Sequence, residues 1–189
     1  SGTWLAHAET QDIFVHLPLS GARAAMAEAD PEAALRTLTP ADGPRPSIET
    51  SLHALMPQAV VLHVHSVNTL AHAVRIDAEK NLGSRLDGLD WAWVPYRRPG
   101  LPLTAAIRDA LAQARKTPDI LILGNHGLVV AGNDYTQAEA RLRDVEARLA
   151  LPARAPSSPD LARLAAVNDA DWRIADDIAL HAVGTDPVV

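Results

Sequence analysis

Three histidines and one glutamate carry the chemistry legible in this chain. His63 and His65 flank Val64 at the end of the apolar run Ala59-Val-Val-Leu-His-Val-His, just before Ser66. Side chains two apart on a strand point to the same face. Two imidazoles therefore project side by side from the C-terminal end of that strand, where α/β sheets commonly place ligands. His126 sits in Gly124-Asn-His-Gly127, after a second apolar run, and the two glycines there allow a sharp backbone turn. Glu49 falls in the first turn of a helix expected just ahead of the His63 strand. Three neutral imidazoles with one exchangeable position make a catalytic zinc shell, and a nearby carboxylate serves as fourth ligand or as base. On residue types alone two readings stand: a metal site, or histidines packed on strands. The chain has no cysteine, which excludes disulfides, thiolate ligands and cysteine nucleophiles. Any transition metal here takes nitrogen and oxygen ligands.

The elements that must position these residues follow from pattern and punctuation. Asp12 to Leu17 is an apolar, β-rich run ended by Pro18 and predicts a strand. Ser20 to Glu28 and Pro31 to Leu38 predict short helices. Residues 39–47, with three prolines and a glycine, predict a loop. Ser47 is placed to cap a helix over 48–56, closed by Pro57. Ala59 to His65 predicts a strand, and Ser66 caps a helix reaching about Ile76. Asp77 to Leu86 reads as helical. Asp90 to Tyr96 predicts a strand with Trp91 and Trp93 on one face. Pro102 suits a helix start, and Leu103, Ile107, Ala110 and Leu111 recur at helical spacing. Asp119 to Leu123 and Gly127 to Ala131 predict two more strands. Asp134 with Gln137 resembles a capping box opening a long helix with Ala138, Leu142, Val145 and Leu149 on one face. Residues 152–159, with three prolines and two serines, predict a linker, and the rest a short helical extension. Alternating strands and helices predict a sheet flanked by helices.

Composition sets the bounds. The chain has 189 residues, enough for one domain with a small appendage, here 1–151 followed by 152–189. Seventeen basic against 23 acidic residues give a net charge of −6, which argues against a nucleic-acid partner. An apolar share of 48% and a charged share of 21% are ordinary for a globular protein. No apolar run approaches the ~20 residues of a membrane span. The absence of cysteine fits a reducing compartment, so a cytoplasmic location is expected. The chain opens at Ser1 within what reads as a structured segment, so further residues upstream are expected.

Ser47-Ile-Glu-Thr-Ser-Leu-His53, then His63-Val-His-Ser66, then Gly124-Asn-His-Gly-Leu-Val-Val-Ala-Gly132 resemble, in order and spacing, the class II aldolase/adducin family. Ser1-Gly-Thr-Trp-Leu5 resembles the small-residue turn near the start of such domains, and Val94-Pro95-Tyr96 a similar strand end. The resemblance implies a three-layer α/β/α domain with a largely antiparallel central sheet, commonly a homotetramer. It implies that His63, His65 and His126 bind Zn2+, with Mn2+ or Co2+ as alternatives. It implies that Glu49 is the catalytic acid/base, and that Ser47, Ser1 and Gly2 belong to the substrate-phosphate pocket. The expected reaction is retro-aldol cleavage of a sugar phosphate or sugar-acid-like ketose through a zinc-stabilised enediolate.

Departures from the family pattern bear on the substrate. Relatives often have Ser-Ser-Glu where this chain has Ser47-Ile48-Glu49, so one phosphate-binding hydroxyl is missing. The family's Gly-Asn-rich phosphate turn is absent from the chain as given. Neither Tyr96 nor Tyr135 falls where some sugar-phosphate aldolases carry a proton-donating tyrosine. The start of the chain and Thr185-Asp-Pro187 also resemble the aldolase half of fused aldolase/dehydrogenase proteins. Lys80 and Lys116, the two lysines, sit in charged helical contexts, which favours a metal route over a Schiff base. Pentulose-phosphate 4-epimerisation and 3-oxo-acid phosphate decarboxylation use the same enediolate chemistry and stand as alternatives. A non-catalytic adducin-like interaction domain is the rival from another class. His53, one turn beyond Glu49, is expected to orient the glutamate or to pack.

Overall fold

The computed structural model describes residues 5–39, 45–152, 160 and 166. The chain divides into two compact units, Ser1–Leu149 and Ala150–Val189. The first holds everything described below. After a short 3-10 helix at Leu5–Glu9 come α1 (Leu19–Ala25), α2 (Pro31–Arg36), α3 (Thr50–Leu55), β1 (Val60–Val64), α4 (Val67–Ala73) and α5 (Ala78–Arg85). They are followed by β2 (Trp91–Val94), α6 (Leu101–Gln113), β3 (Ile120–Leu123), β4 (Gly127–Gly132) and α7 (Tyr135–Leu149). None of these helices is long and apolar enough to cross a membrane.

The strands form one sheet in the order β1-β4-β3-β2. β4 runs antiparallel to both β1 and β3, whereas β2 and β3 are parallel. The sheet is thus mixed, with antiparallel pairing dominant. The parallel step is dictated by α6, which carries the chain from the end of β2 back to the start of β3, as a parallel crossover requires.

Period-two alternation splits the central strands between two cores. Ile120 and Ile122 of β3 and Leu128 and Val130 of β4 face α4, α5 and α7. Leu121, Leu123, Val129 and Ala131 face α3 and α6. Both faces being covered, β3 and β4 are unbroken apolar runs buried along their whole length, and the molecule is a three-layer α/β/α sandwich. Each fully buried leucine or isoleucine contributes about 1.5–3 kcal/mol through removal from water. Trp91 and Trp93 pack together against the first of these cores, on the one face their spacing predicted.

Helix starts follow local chemistry. Asp30 Oδ1 accepts from Ala33 N at 2.9 Å, and Ser66 Oγ accepts from Thr69 N at 3.0 Å. Asp134 Oδ1 accepts from Gln137 N, while Gln137 Oε1 accepts from Asn133 N, so the capping box closes one residue earlier than expected. The predicted helix over 48–56 is shorter than its pattern. Ser47 Oγ accepts from Glu49 N in a preceding turn, and Glu49 is itself the N-terminal flanking residue of α3.

One expected strand is corrected. Residues 12–18 carry no ladder pairing among the described residues. The alternation is there: Ile13, Val15 and Leu17 turn half inward, and Phe14 and His16 outward. β-propensity sets extended local backbone, but a strand needs a partner edge, and this segment borders a cavity beside α3 and β1 instead.

Candidate metal centre

Register brings the three histidines together. In the β1–β4 pair His63 lies opposite Val129 and Val64 opposite Leu128. Continuing outward, His65 reaches the level of Gly127, and His126 is the residue before it. The three rings form a near-equilateral triangle, each pair of centroids 5.1 Å apart. One potential ligand atom from each lies within 4.8 Å of the others. His63 and His126 are nearly buried, with side chains 7% and 8% exposed, whereas His65 is exposed and marks the open side.

The turn before β4 is built differently from the sharp glycine turn expected of it. The residue with positive φ is Asn125, at 47°, rather than either glycine. Asparagine tolerates that left-handed conformation better than most residues. The glycines answer to crowding. A Cβ on Gly127 would stand 2.7 Å from the Val64 carbonyl oxygen, 3.1 Å from His63 Cε1 and 3.2 Å from His65 Cδ2. A Cβ on Gly124 would meet the Trp93 ring at 3.0 Å.

Glu49 closes the site from α3. Its Oε1 is 2.9 Å from His126 Nε2, and its Oε2 is 3.4 Å from His63 Nε2. Neither approach is an aligned hydrogen bond: Glu49 Oε1 and His63 Nε2 are buried without a hydrogen-bond partner. His63 Nδ1 is 3.0 Å from the Leu128 carbonyl oxygen. Nδ1 carries the proton there, because a carbonyl only accepts, and the Nε2 lone pair is left facing the other imidazoles. Sequence could not show this orienting carbonyl, since any residue supplies one.

The charge balance favours an ionised carboxylate. The close approach of His63 is the largest influence on Glu49 and lowers its pKa, partly opposed by burial, with the fields of His63, His126 and His65 adding. Burial is the largest influence on His63 and would lower it, but the Glu49 carboxylate and Leu128 carbonyl together raise it. Burial lowers His126. His53 is lowered too, mainly by burial and then by the field of His63, with the Glu49 charge and the Val61 backbone opposing.

A divalent cation fits this arrangement. Three imidazole nitrogens and one carboxylate are a nitrogen–oxygen set suited to zinc, and two of the candidate donor atoms, His63 Nε2 and Glu49 Oε1, are buried without a partner within the protein. Of the other expected site residues, Ser47 is exposed and borders two cavities of about 180 and 570 Å3, together with Arg45. None of the three histidines lines either cavity. Ser1 and Gly2 lie outside the described residues.

Comparison with known proteins gives the family. Residues 7–151 match the family described as the Class II Aldolase and Adducin N-terminal domain, and the chain belongs to that family. It is 36% identical over 89 residues to the uncharacterized oxidoreductase YuxG of Bacillus subtilis, covering 47% of this chain and 13% of that protein. Over 130 residues it is 30% identical to the "probable bifunctional methylthioribose-1-phosphate isomerase/methylthioribulose-1-phosphate dehydratase" of Nocardia farcinica, covering 59% of this chain and 24% of that one. The chain therefore spans a quarter or less of these relatives. The N-terminal class II aldolase domain of a conserved protein from Thermoplasma acidophilum superposes with a TM-score of 0.63 at 25% identity, covering 79% of this chain and 70% of that one.

Proposed function

We propose that this chain is a metal-dependent lyase domain whose reaction turns on moving a proton beside a substrate carbonyl. The observation that carries this reading is the triangle of His63, His65 and His126 with the Glu49 carboxylate set against it. A bound divalent cation, Zn2+ in the first instance with Mn2+ or Co2+ as alternatives, supplies Lewis-acid polarisation of the carbonyl and charge stabilisation of the enediolate. The chain's own residues do the rest. His63 is held by Leu128 in the tautomer that binds through Nε2. Glu49, kept ionised by its imidazole neighbours, takes and returns the proton. The exposed side at His65 leaves a path for substrate.

The substrate class proposed is a sugar phosphate or sugar-acid-like ketose, cleaved in retro-aldol fashion. Ser47, with Ser1 and Gly2, is proposed to hold its anionic end. Dehydration is a second reading, supported by the name of the Nocardia relative. Both reactions share the enediolate and differ in the bond that breaks, so their products separate them: two carbonyl fragments, or one molecule lighter by a water. The homotetramer expected for the family belongs to the same proposal.

Metal analysis of the purified protein beside His63→Ala tests the reading. About one zinc per chain, lost in the variant, is expected. No metal in either after zinc addition overturns the reading and favours an adducin-like interaction domain.

A further inference from the structure

Two buried hydroxyls join α3 to α6, one of them on Ser51, two residues after Glu49. Ser51 and Thr104 are each 2% exposed, and their oxygens are 2.6 Å apart. Thr104 Oγ1 also lies 3.1 Å from the Gly100 carbonyl oxygen, to which it donates. A hydroxyl has one proton, so the direction of the chain is fixed: Ser51 donates to Thr104, and Thr104 donates to Gly100. Gly100 has φ of +91°, and a Cβ on it would stand 3.2 Å from Ile48, the residue before Glu49. The start of α6 thus meets the chain on both sides of Glu49: Gly100 packs under Ile48 in the turn before α3, and Thr104 bonds Ser51 within α3.

The need for such a brace is visible in α3. It has six residues, and no side chain caps its N-terminus, where Glu49 stands. Leu52 and Met56 anchor the helix in the core beneath it. Apolar contacts are non-directional, and the directional bonds from Arg23 to the Ala54 and Met56 carbonyls hold only the end of α3 away from Glu49. A buried hydrogen bond is directional, and breaking it leaves an unpaired polar group. From these observations we propose that the Ser51–Thr104 pair positions Glu49 against the three histidines, setting the rotation of α3. Ser51 and Thr104 are positioning residues, acting through Glu49 on the metal centre. The inference rests on the metal-site reading above.

The test separates positioning from packing. Thr104→Val alone leaves the Ser51 hydroxyl buried and unpaired and destabilises the fold. Replacing both partners with apolar groups, Ser51→Ala with Thr104→Val, removes that penalty, so thermal stability returns close to wild type. Zinc affinity, measured by competition with a chelating dye, stays weakened in the double variant by about tenfold or more, the usual scale for loss of a group that orients a ligand. Thr104→Ser, which keeps the hydroxyl, restores it. In a Glu49→Gln background the same pair of substitutions leaves zinc affinity unchanged. Zinc affinity that recovers along with stability in the double variant overturns the inference, as does an equal loss in the Glu49→Gln background. A wild-type chain that takes up no zinc overturns the metal reading, and this inference with it.

Discussion

At the scale of single residues, the candidate metal centre depends as much on what is missing as on the three histidines. Gly127 has no side chain at the point where the Val64 carbonyl and the His63 and His65 rings converge. Gly127→Ala puts a methyl into that space, and relief requires the β1–β4 pair to part or both rings to turn. Overpacking of this kind costs about 1–3 kcal/mol. The expected outcome is a lowered melting temperature together with reduced zinc stoichiometry in the same preparation. A stable variant that keeps a full complement of zinc contradicts the crowding argument. The closeness of His63 and His65 was legible from strand periodicity, whereas His126 and Glu49 were singled out by residue type and joined to them as a metal site by the family resemblance. The role of Gly127 was not legible, since a glycine that avoids a clash and a glycine that turns the chain look the same in sequence. The Ser51–Thr104 bond was equally hidden: the two residues are 53 positions apart, and only packing brings them together.

At the scale of elements, α3 is the piece that must not move, and its far end is held by a residue from another helix. Arg23 of α1 donates from Nε to the Ala54 carbonyl at 3.2 Å and from Nη2 to the Met56 carbonyl at 3.1 Å. These lie at the end of α3, where carbonyls lack partners within the helix and carry partial negative charge. Arg23→Met keeps most of the apolar stem and removes both bonds. Bonds to a charged donor contribute about 1.5–3 kcal/mol each at full strength. The site is partly buried, so a total loss of about 1–3 kcal/mol is expected, read by urea denaturation with an unchanged m-value. A midpoint equal to wild type removes Arg23 from the account. Local pattern foretold the elements well where a partner was close in sequence: capping at Ser66 and Asp134, and the apolar runs of β3 and β4. It failed at residues 12–18, whose alternation is real but whose pairing is a property of the whole sheet. It also overextended α3, because Ser47 caps a turn rather than the helix that follows.

At the scale of the molecule, folding, protonation and metal binding are one linked equilibrium, and pH exposes the linkage. Without metal, His53 and His126 have folded-state pKa values below the ordinary 6.5. Their contribution to stability is present above that value and is lost as pH falls through it towards the folded values. His63 has the opposite sign: its folded value is raised above 6.5, so its contribution is full below 6.5 and fades as pH rises through the folded value. Glu49 is lowered from 4.5, and its contribution disappears as pH falls below that value. The windows do not overlap: the metal-free chain weakens below 6.5 through His53 and His126, weakens again below 4.5 through Glu49, and loses the His63 contribution as pH rises above 6.5. A ligand that binds only the folded state adds stability, about 2.7 kcal/mol at a hundred times its dissociation constant. Its binding requires neutral imidazoles, so protons compete with it. Melting temperatures measured from about pH 8 to about pH 5, with zinc and with a chelator, should therefore converge as pH falls through the histidine range. Zinc that raises the melting temperature equally at both ends would have to be bound by groups that do not titrate there, and the three histidines would then not be its ligands. His126→Ala is the control: with one ligand gone, the zinc and chelator curves should lie close together at every pH.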